Sequence, residues 1–258
     1  MSENAVAKHD DWETHWDQYA DAASHNPAQI MRHDIVAKFL KAHSGPHAKV
    51  FDIGSGQGDL VYKLVRLLRD ADFLGVELSE SGVAISRRKI PDATFVVADL
   101  FQPPPALRAF TGWASYAVCS EVLEHLDDPV AFLRQARQYL AVGACLVVTV
   151  PGGPMSAFDR VIGHRQHFTR ASIRSVLEQA GFSVNGISMA GFPFFNLYRL
   201  TVIARGKKLA SDVSSGERGI STKLAQAMMA VFRFLFRYNI ANSKFGWQVV
   251  AVASKTSP

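Results

Sequence analysis

Three glycines at alternate positions form the most informative motif of the chain. They lie in Asp52-Ile53-Gly54-Ser55-Gly56-Gln57-Gly58, directly after an apolar run. Without a Cβ atom, a glycine lets the backbone approach a ligand closely, and a helix N-terminus favours a carboxylate or phosphate there. The dinucleotide-binding fingerprint needs its third glycine one position later, where this chain has Asp59. The spacing therefore disfavours a dinucleotide.

Three acidic residues narrow the choice of ligand. Asp52, Glu77 and Asp99 each stand at or just after the end of one of three consecutive apolar runs. Any one of them alone would be an ordinary solvated carboxylate at a strand end. Together they can face an ammonium group, the two hydroxyls of a ribose and the amino group of an adenine. The pattern predicts a ligand that carries all three groups.

These motifs resemble the cofactor domain of class I S-adenosylmethionine-dependent methyltransferases over residues 48–155. The resemblance implies S-adenosylmethionine as cofactor and S-adenosylhomocysteine as its product. Asp52 to Gly58 match the first family motif, Glu77 its ribose-binding acid and Asp99 its adenine-binding acid. The expected cofactor-binding residues are Asp52, Gly54, Ser55, Gly56, Gly58, Glu77, Leu78, Asp99, Leu100 and Ser120. The segment 120–129 is similar to the branch that contains ubiquinone-biosynthesis O-methyltransferases.

A first group of candidate catalytic residues follows the fourth apolar run. Glu121, Glu124 and His125 lie there, and Glu121 and His125 would share a face if this turn is helical. With a further histidine they could bind a divalent cation, as a similar Glu-x-x-Glu-His arrangement does in a family of small-RNA 2′-O-methyltransferases and in some quinone O-methyltransferases. Such clusters also act as acid–base groups, so no residue is assigned as a metal ligand.

A second group lies in the segment Gly163-His164-Arg165-Gln166-His167-Phe168-Thr169. Thr169 is expected to cap the helix that follows. Methyl transfer to oxygen needs a base near neutral pH, which histidine can supply. His125, His164 and His167 are therefore candidate bases, and the sequence does not choose between them.

The elements around these motifs predict a doubly wound, Rossmann-like α/β fold. Short apolar runs alternate with helical patterns, as in a parallel sheet covered on both faces. We expect a seven-stranded, mostly parallel sheet with N-terminal helices and a helical insertion between the last two strands. The expected divisions are an N-terminal helical cap (1–45), the cofactor-binding core (46–189), the insertion or lid (190–244) and the last strand with the C-terminal tail (245–258).

The insertion is rich in aromatic residues and methionine. It contains the segments 192–198 and 227–238, the second interrupted by Arg233 and Arg237, and a polar stretch at 206–219 that is typical of disorder. A lid packed on the domain and a homodimer contact are two interpretations. An apolar acceptor pocket and a peripheral membrane contact through residues 222–240 are two others.

Composition adds weaker constraints. Hydrophobic residues make up 48% of the 258 residues and charged residues 20%, as in an ordinary globular protein. The formal net charge of +5 is spread along the chain, so no nucleic-acid partner is expected. The two cysteines lie in apolar runs, and no secretory signal is visible. These features favour the cytoplasm, with contact at most peripheral to a membrane.

The sequence thus predicts a methyltransferase that acts on a small or lipophilic acceptor. The methyl group is expected to go to an oxygen, as in a quinol, polyketide or sugar. One alternative is a metal-assisted RNA 2′-O-methyltransferase. Another is a protein that binds the cofactor without catalysis.

Overall fold

A mostly parallel sheet forms the centre of the protein. The computed structural model describes residues 26–215 and 221–257, with side chains described outside 205–226. Within these ranges the strands, numbered along the chain, are β1 (Lys49–Ile53), β2 (Asp72–Glu77), β3 (Thr94–Val97), β4 (Ala114–Ser120), β5 (Leu140–Pro151), β6 (Ser183–Ala190) and β7 (Gln248–Ser254).

The strand order is β3-β2-β1-β4-β5-β7-β6, and only β7 among the described strands runs antiparallel to its neighbours. The order in which strands are added to the sheet reverses between the parallel strands β1 and β4. At such a switch point, α/β folds bind their ligands at the carboxyl ends of the strands. This topology confirms the predicted doubly wound α/β fold.

Helices cover both faces of the sheet. In the described residues they are α1 (Pro27–His43), α2 (Asp59–Leu67), α3 (Glu80–Lys89), α4 (Pro129–Arg137), α5 (Ala157–Val161), α6 (Arg170–Gln179), α7 (Phe194–Ser215) and α8 (Ser221–Leu235). Short 3-10 turns occur at Pro105–Phe110, Leu123–His125 and Phe236–Tyr238. Several helices begin at a polar N-cap residue. The hydroxyl of Thr169 accepts from the Ser172 amide at the start of α6, as predicted. Asn26 and Asp128 cap α1 and α4 in the same way.

One expectation for the insertion is wrong. The polar stretch 206–219 was expected to be disordered, yet α7 continues through it to Ser215; residues 216–220 lie outside the described part. Its lysines, alanine and leucine are good helix formers, which outweighs its low hydrophobicity.

Three groups of buried side chains hold these layers together. One fills each face of the sheet, with Phe51 and Leu133 on one side and Val50 and Leu40 on the other. The third joins α1 to the insertion through Met31, Phe195, Phe232 and Phe236. Several aromatic residues of the insertion therefore pack on α1, which is consistent with the lid interpretation.

The division of the chain into a cap, a core, an insertion and a final strand stays a prediction. Trp12, Trp16 and Tyr19, which suggested a first helix, lie outside the described residues. Among the described helices, none combines the length and apolar character needed to span a bilayer.

Candidate functional site

The glycine loop joins the end of β1 to the start of α2. Gly54, Gly56 and Gly58 have φ angles of 73°, 53° and 76°, a region that residues with a Cβ atom rarely adopt. The amides of Gly54 and Ser55 bond to the carbonyl of Val76 in β2, each at 2.9 Å. The loop is thus fixed to the sheet edge, with the N-terminus of α2 behind it.

Asp52 and Glu77 lie buried beside this loop. Asp52 is 3% exposed, and its Oδ2 has no hydrogen-bond partner among the described residues. Burial, and then the charge of Glu77, raise the pKa of Asp52 to about 7. Glu77 accepts the amide of Gly56 at 2.9 Å and that of Ser79 at 3.2 Å. A cationic group placed here would satisfy Asp52, which fits the ammonium group of S-adenosylmethionine.

The other predicted cofactor residues lie at the same edge of the sheet. Ser55 is buried, and its hydroxyl also lacks a hydrogen-bond partner in the described part of the chain. Asp99 is half-buried after β3 and accepts the amide of Phe101 at 2.8 Å. Leu78 is 48% exposed, whereas Leu100 is buried. Ser120 ends β4, and its hydroxyl lies 2.7 Å from that of Thr149.

Glu121 does not share a helical face with His125, so that expectation is wrong. Its φ angle is 57°, and the 3-10 turn begins only at Leu123. One carboxylate oxygen of Glu121 accepts from Gln248 at 2.9 Å and from Thr149 at 3.2 Å, and the other pairs with Arg32 at 3.4 Å. Its carboxylate is thus engaged in fastening α1 to β5 and β7.

Glu124 and His125 instead meet His164 from the loop before α6. Their ligand atoms lie within 4.8 Å of one another. Glu124 is fully buried, and neither of its carboxylate oxygens has a hydrogen-bond partner among the described residues. Burial, and then the charge of Glu121, raise the pKa of Glu124 well above its usual range. The group could hold a divalent cation, because it offers one oxygen and two nitrogen donors.

His164 and His167 form a hydrogen-bonded pair whose tautomers follow from their partners. His167 Nδ1 lies 3.2 Å from the carbonyl of Gly153, which can only accept, so this nitrogen carries the proton. In a neutral His167, Nε2 then accepts from His164 Nδ1 across 3.2 Å. Nε2 of His164 then carries a lone pair that no donor among the described residues uses. Burial, and then the charge of His125, lower the pKa of His164 to about 3, so this imidazole is neutral at pH 7.

The sequence did not point to Asp159 and Arg199, which lie beside this pair. Asp159 is fully buried in the capping box that begins α5, and its two carboxylate oxygens lie 3.9 Å from His164 Nδ1 and His167 Nε2. Arg199 of α7 donates to both oxygens at 2.9 Å. The available signal was Arg199 itself, a charged residue that directly follows the aromatic segment 192–198. An arginine that is largely buried needs an acidic partner.

A family model described as a methyltransferase domain matches residues 22–185, which is more than half of the chain. The chain belongs to the methyltransferase domain family. This membership confirms the predicted class I S-adenosylmethionine-dependent family and supports S-adenosylmethionine as the cofactor.

Two curated relatives illustrate the family. The chain is 32% identical over 108 residues to a trans-aconitate 2-methyltransferase of Methylobacterium nodulans, covering 40% of this chain and 38% of the relative. It is 29% identical over 119 residues to a ubiquinone biosynthesis O-methyltransferase of Psychrobacter cryohalolentis, covering 45% and 46%. The matched part thus spans less than half the length of either relative.

Solved structures share the fold over most of this chain. The cyclase SpnF matches 97% of both chains with a TM-score of 0.63 and 15% identity. A geranyl diphosphate C-methyltransferase from Streptomyces coelicolor, crystallised with Mg²⁺, geranyl diphosphate and S-adenosyl-L-homocysteine, matches 88% of this chain and 81% of its own, with a TM-score of 0.55 and 14% identity. A cyclase and a C-methyltransferase on one fold mean that the side chains at the site must decide the reaction.

Proposed function

We propose that this protein transfers the methyl group of S-adenosylmethionine to an oxygen of a small lipophilic acceptor, with His164 as the general base. The observation that carries the proposal is the free Nε2 lone pair of His164, at the sheet edge that also holds the glycine loop. A general base needs a neutral imidazole with an accepting nitrogen. The pKa of about 3 keeps His164 neutral but makes it a weak base in the empty site, so the Asp159 carboxylate beside Nδ1 must stabilise the imidazolium that forms.

The cofactor would be held by the residues predicted for it. Bound S-adenosylmethionine supplies a methyl group activated by the sulfonium. Asp52 receives its ammonium group, and the N-terminus of α2 favours its carboxylate. Glu77 accepts the ribose hydroxyls and Asp99 the adenine amino group. Leu78 and Leu100 pack on the adenine, while Ser55 and Ser120 supply hydroxyls nearby. The unpartnered Oδ2 of Asp52 and hydroxyl of Ser55 support this arrangement.

Transfer is then a displacement at the methyl carbon. The acceptor oxygen forms the new O–C bond while the S–C bond breaks and its electrons stay on sulfur. The hydroxyl proton passes to Nε2 of His164. The resulting imidazolium is stabilised by the Asp159 carboxylate, 3.9 Å from Nδ1, and Arg199 holds that carboxylate in place. Positioning of the two reactants supplies much of the remaining rate.

Of the three methyltransferases named above, two agree with a lipophilic acceptor, and the third agrees only with a small one. Ubiquinone biosynthesis O-methyltransferase and geranyl diphosphate C-methyltransferase both name apolar chains, and trans-aconitate 2-methyltransferase names a small acid. Oxygen is preferred over carbon as the methylated atom because the histidine pair offers a base for a hydroxyl.

An acceptor panel tests the proposal. The protein is incubated with S-adenosylmethionine labelled on the methyl carbon and, separately, a prenylated catechol, a hydroquinone, a carboxylic acid and a small RNA. Mass spectrometry should find methyl ethers of the phenols. Transfer only to carbon, to carboxylate or to RNA would overturn the oxygen assignment. Cofactor binding without transfer to any acceptor would favour the non-catalytic alternative.

Metal-assisted transfer is a second candidate, favoured by the buried, unpartnered carboxylate of Glu124 beside His125 and His164. A divalent cation there would lower the pKa of the acceptor hydroxyl and would occupy one of the ligand nitrogens of His164. The two candidates differ in one measurement. Dialysis against a chelator should abolish metal-assisted transfer, and addition of Mg²⁺, Mn²⁺ or Zn²⁺ should restore it. Transfer that depends on His164 as base should be unchanged by either treatment.

A further inference from the structure

A cavity of about 510 Å³ lies between α1 and the insertion, away from the histidines. Its apolar wall includes Ile30, Met31, Ile35 and Phe236, and Ile240 closes one end. Lys38, Lys63, Arg233 and Arg237 line the same cavity, against a single acid, Asp34. An apolar wall combined with an excess of cations is typical of a site for an amphiphile with an anionic head.

Most of these cations are available for a ligand. Lys63 is paired with Asp34. Lys38, Arg233 and Arg237 are exposed and form no ion pair with any residue in the described ranges. The guanidinium of Arg237 lies 5.9 Å from the ring centre of Phe234, a contact that leaves its charge intact.

An exposed apolar ridge lies next in sequence to Arg233 and Arg237, which line the cavity. Val231, Phe234 and Tyr238 follow one another at spacings of three and four along the end of α8 and the 3-10 turn after it, and they are 56%, 53% and 62% exposed. Phe232 and Phe236 point the other way, into the cluster with Met31. This end of the insertion is therefore apolar on both sides, and only the inner side is covered within the described structure.

We propose that this ridge and the adjoining cations dock the protein on a bilayer that contains anionic phospholipids, with a headgroup phosphate in the cavity. The ridge would enter the interfacial region, where aromatic and aliphatic side chains are favoured beside basic residues. This inference rests on the proposed function, because the bilayer would be the source of the lipophilic acceptor.

Charge favours a membrane over a second copy of the chain. A twofold contact through the ridge would bring Arg233 and Arg237 of one copy close to the same residues of the other, which costs free energy. An anionic surface instead neutralises them.

The experiment is co-sedimentation of the full chain with vesicles of phosphatidylcholine alone or mixed equally with phosphatidylglycerol. We expect binding only to the mixed vesicles, weakening as salt is raised. Arg233→Glu with Arg237→Glu should weaken it by at least roughly thirtyfold, since each cation near such a surface contributes about 1 kcal/mol and each glutamate adds repulsion. Phe234→Ser should weaken it with the charges unchanged.

The matched control is Arg88→Glu with Arg108→Glu, which reverses two exposed arginines elsewhere on the surface; its binding should stay much closer to that of the wild type. Equal binding by the Arg233/Arg237 and Arg88/Arg108 variants, or no binding by the wild type, overturns the proposal. Ridge-dependent dimers without vesicle binding would also overturn it, in favour of a second copy. Calorimetry with S-adenosylhomocysteine on the same samples reports the cofactor site separately, so failure of the proposed function would be recognised independently.

Discussion

Arg199 and Asp159 form a bidentate ion pair in which both N–O distances are 2.9 Å. The pair joins α7, in the insertion, to α5, beside the two histidines. Burial alone would raise the pKa of Asp159, but the hydrogen bonds from Arg199 and Ser156 outweigh it and lower that pKa to about 2. The carboxylate is therefore charged at any physiological pH. The element that covers the site is tied to the groups proposed to do its chemistry.

Replacing Arg199 should destabilise the protein. Arg199→Met leaves the buried Asp159 carboxylate without its cation, and we expect the free energy of unfolding to fall by about 3–5 kcal/mol. Urea denaturation measures it. Arg174→Met is the matched control, because Arg174 forms an exposed i,i+4 pair with Glu178 and should cost within about 0.5 kcal/mol. Equal losses in the two variants would contradict a structural role for the buried pair.

His164→Asn should remove turnover and spare the cofactor. Loss of a general base lowers kcat by about 10²–10⁴-fold, while the glycine loop is untouched. Transfer of a labelled methyl group and calorimetry with S-adenosylhomocysteine measure the two effects. His47→Asn serves as control, since His47 is an exposed loop residue with a φ angle of 55° that asparagine tolerates. If His164→Asn keeps its full rate, His164 is not the base.

Glu77→Gln should weaken cofactor binding. A charged acceptor contributes about 1.5–3 kcal/mol per hydrogen bond, so the affinity for S-adenosylhomocysteine should fall by at least roughly tenfold. Asp72→Asn, at the exposed start of the same strand, should leave the affinity unchanged. Because Glu77 also accepts the Gly56 amide, urea denaturation of the variant must accompany the calorimetry. A well-folded Glu77→Gln protein with wild-type affinity would exclude the ribose contact.

Cofactor affinity should depend on pH through Asp52. Its pKa of about 7 in the empty site means that the carboxyl gains a proton as pH falls below that value, and the neutral form attracts an ammonium group less. The affinity for S-adenosylhomocysteine should therefore decrease from mildly alkaline to mildly acidic pH, by up to about tenfold per unit. Asp52→Asn should bind weakly with a flatter profile. An unchanged slope in that variant would assign the titration to another group.

Proton linkage gives Asp52 the opposite effect on the stability of the empty protein. The pKa of this group is raised on folding, from 3.8 to about 7, so the folded state holds the proton more tightly than the unfolded chain. Between these two values the contribution of Asp52 to stability decreases as pH rises. Asp52→Asn should remove this part of the pH dependence in urea denaturation, and an identical pH profile in wild type and variant would contradict the assignment.

Local patterns in the sequence predicted the sheet and the cofactor edge. The continuous apolar runs and the glycine loop are short-range features, and the carboxyl ends of parallel strands meet wherever such a fold forms. The connections of Glu121 depend instead on Arg32, Thr149 and Gln248, which come from three separate elements. Its positive φ angle, which breaks the expected helical turn, is set by that network. No spacing in the sequence encodes a pairing of this kind.

The antiparallel direction of β7 has a consequence for how this protein can change its acceptor. Because β6 ends and β7 begins at the same edge of the sheet, with Ala190 and Gln248 paired side by side, the whole stretch between them leaves and re-enters the core at neighbouring positions. The stretch can be exchanged as one continuous segment without changing the strand order of the sheet, provided that its contacts with Asp159 and with Met31 are kept. Recombination at the two ends of this segment could therefore change the acceptor while the residues predicted to bind the cofactor stay the same.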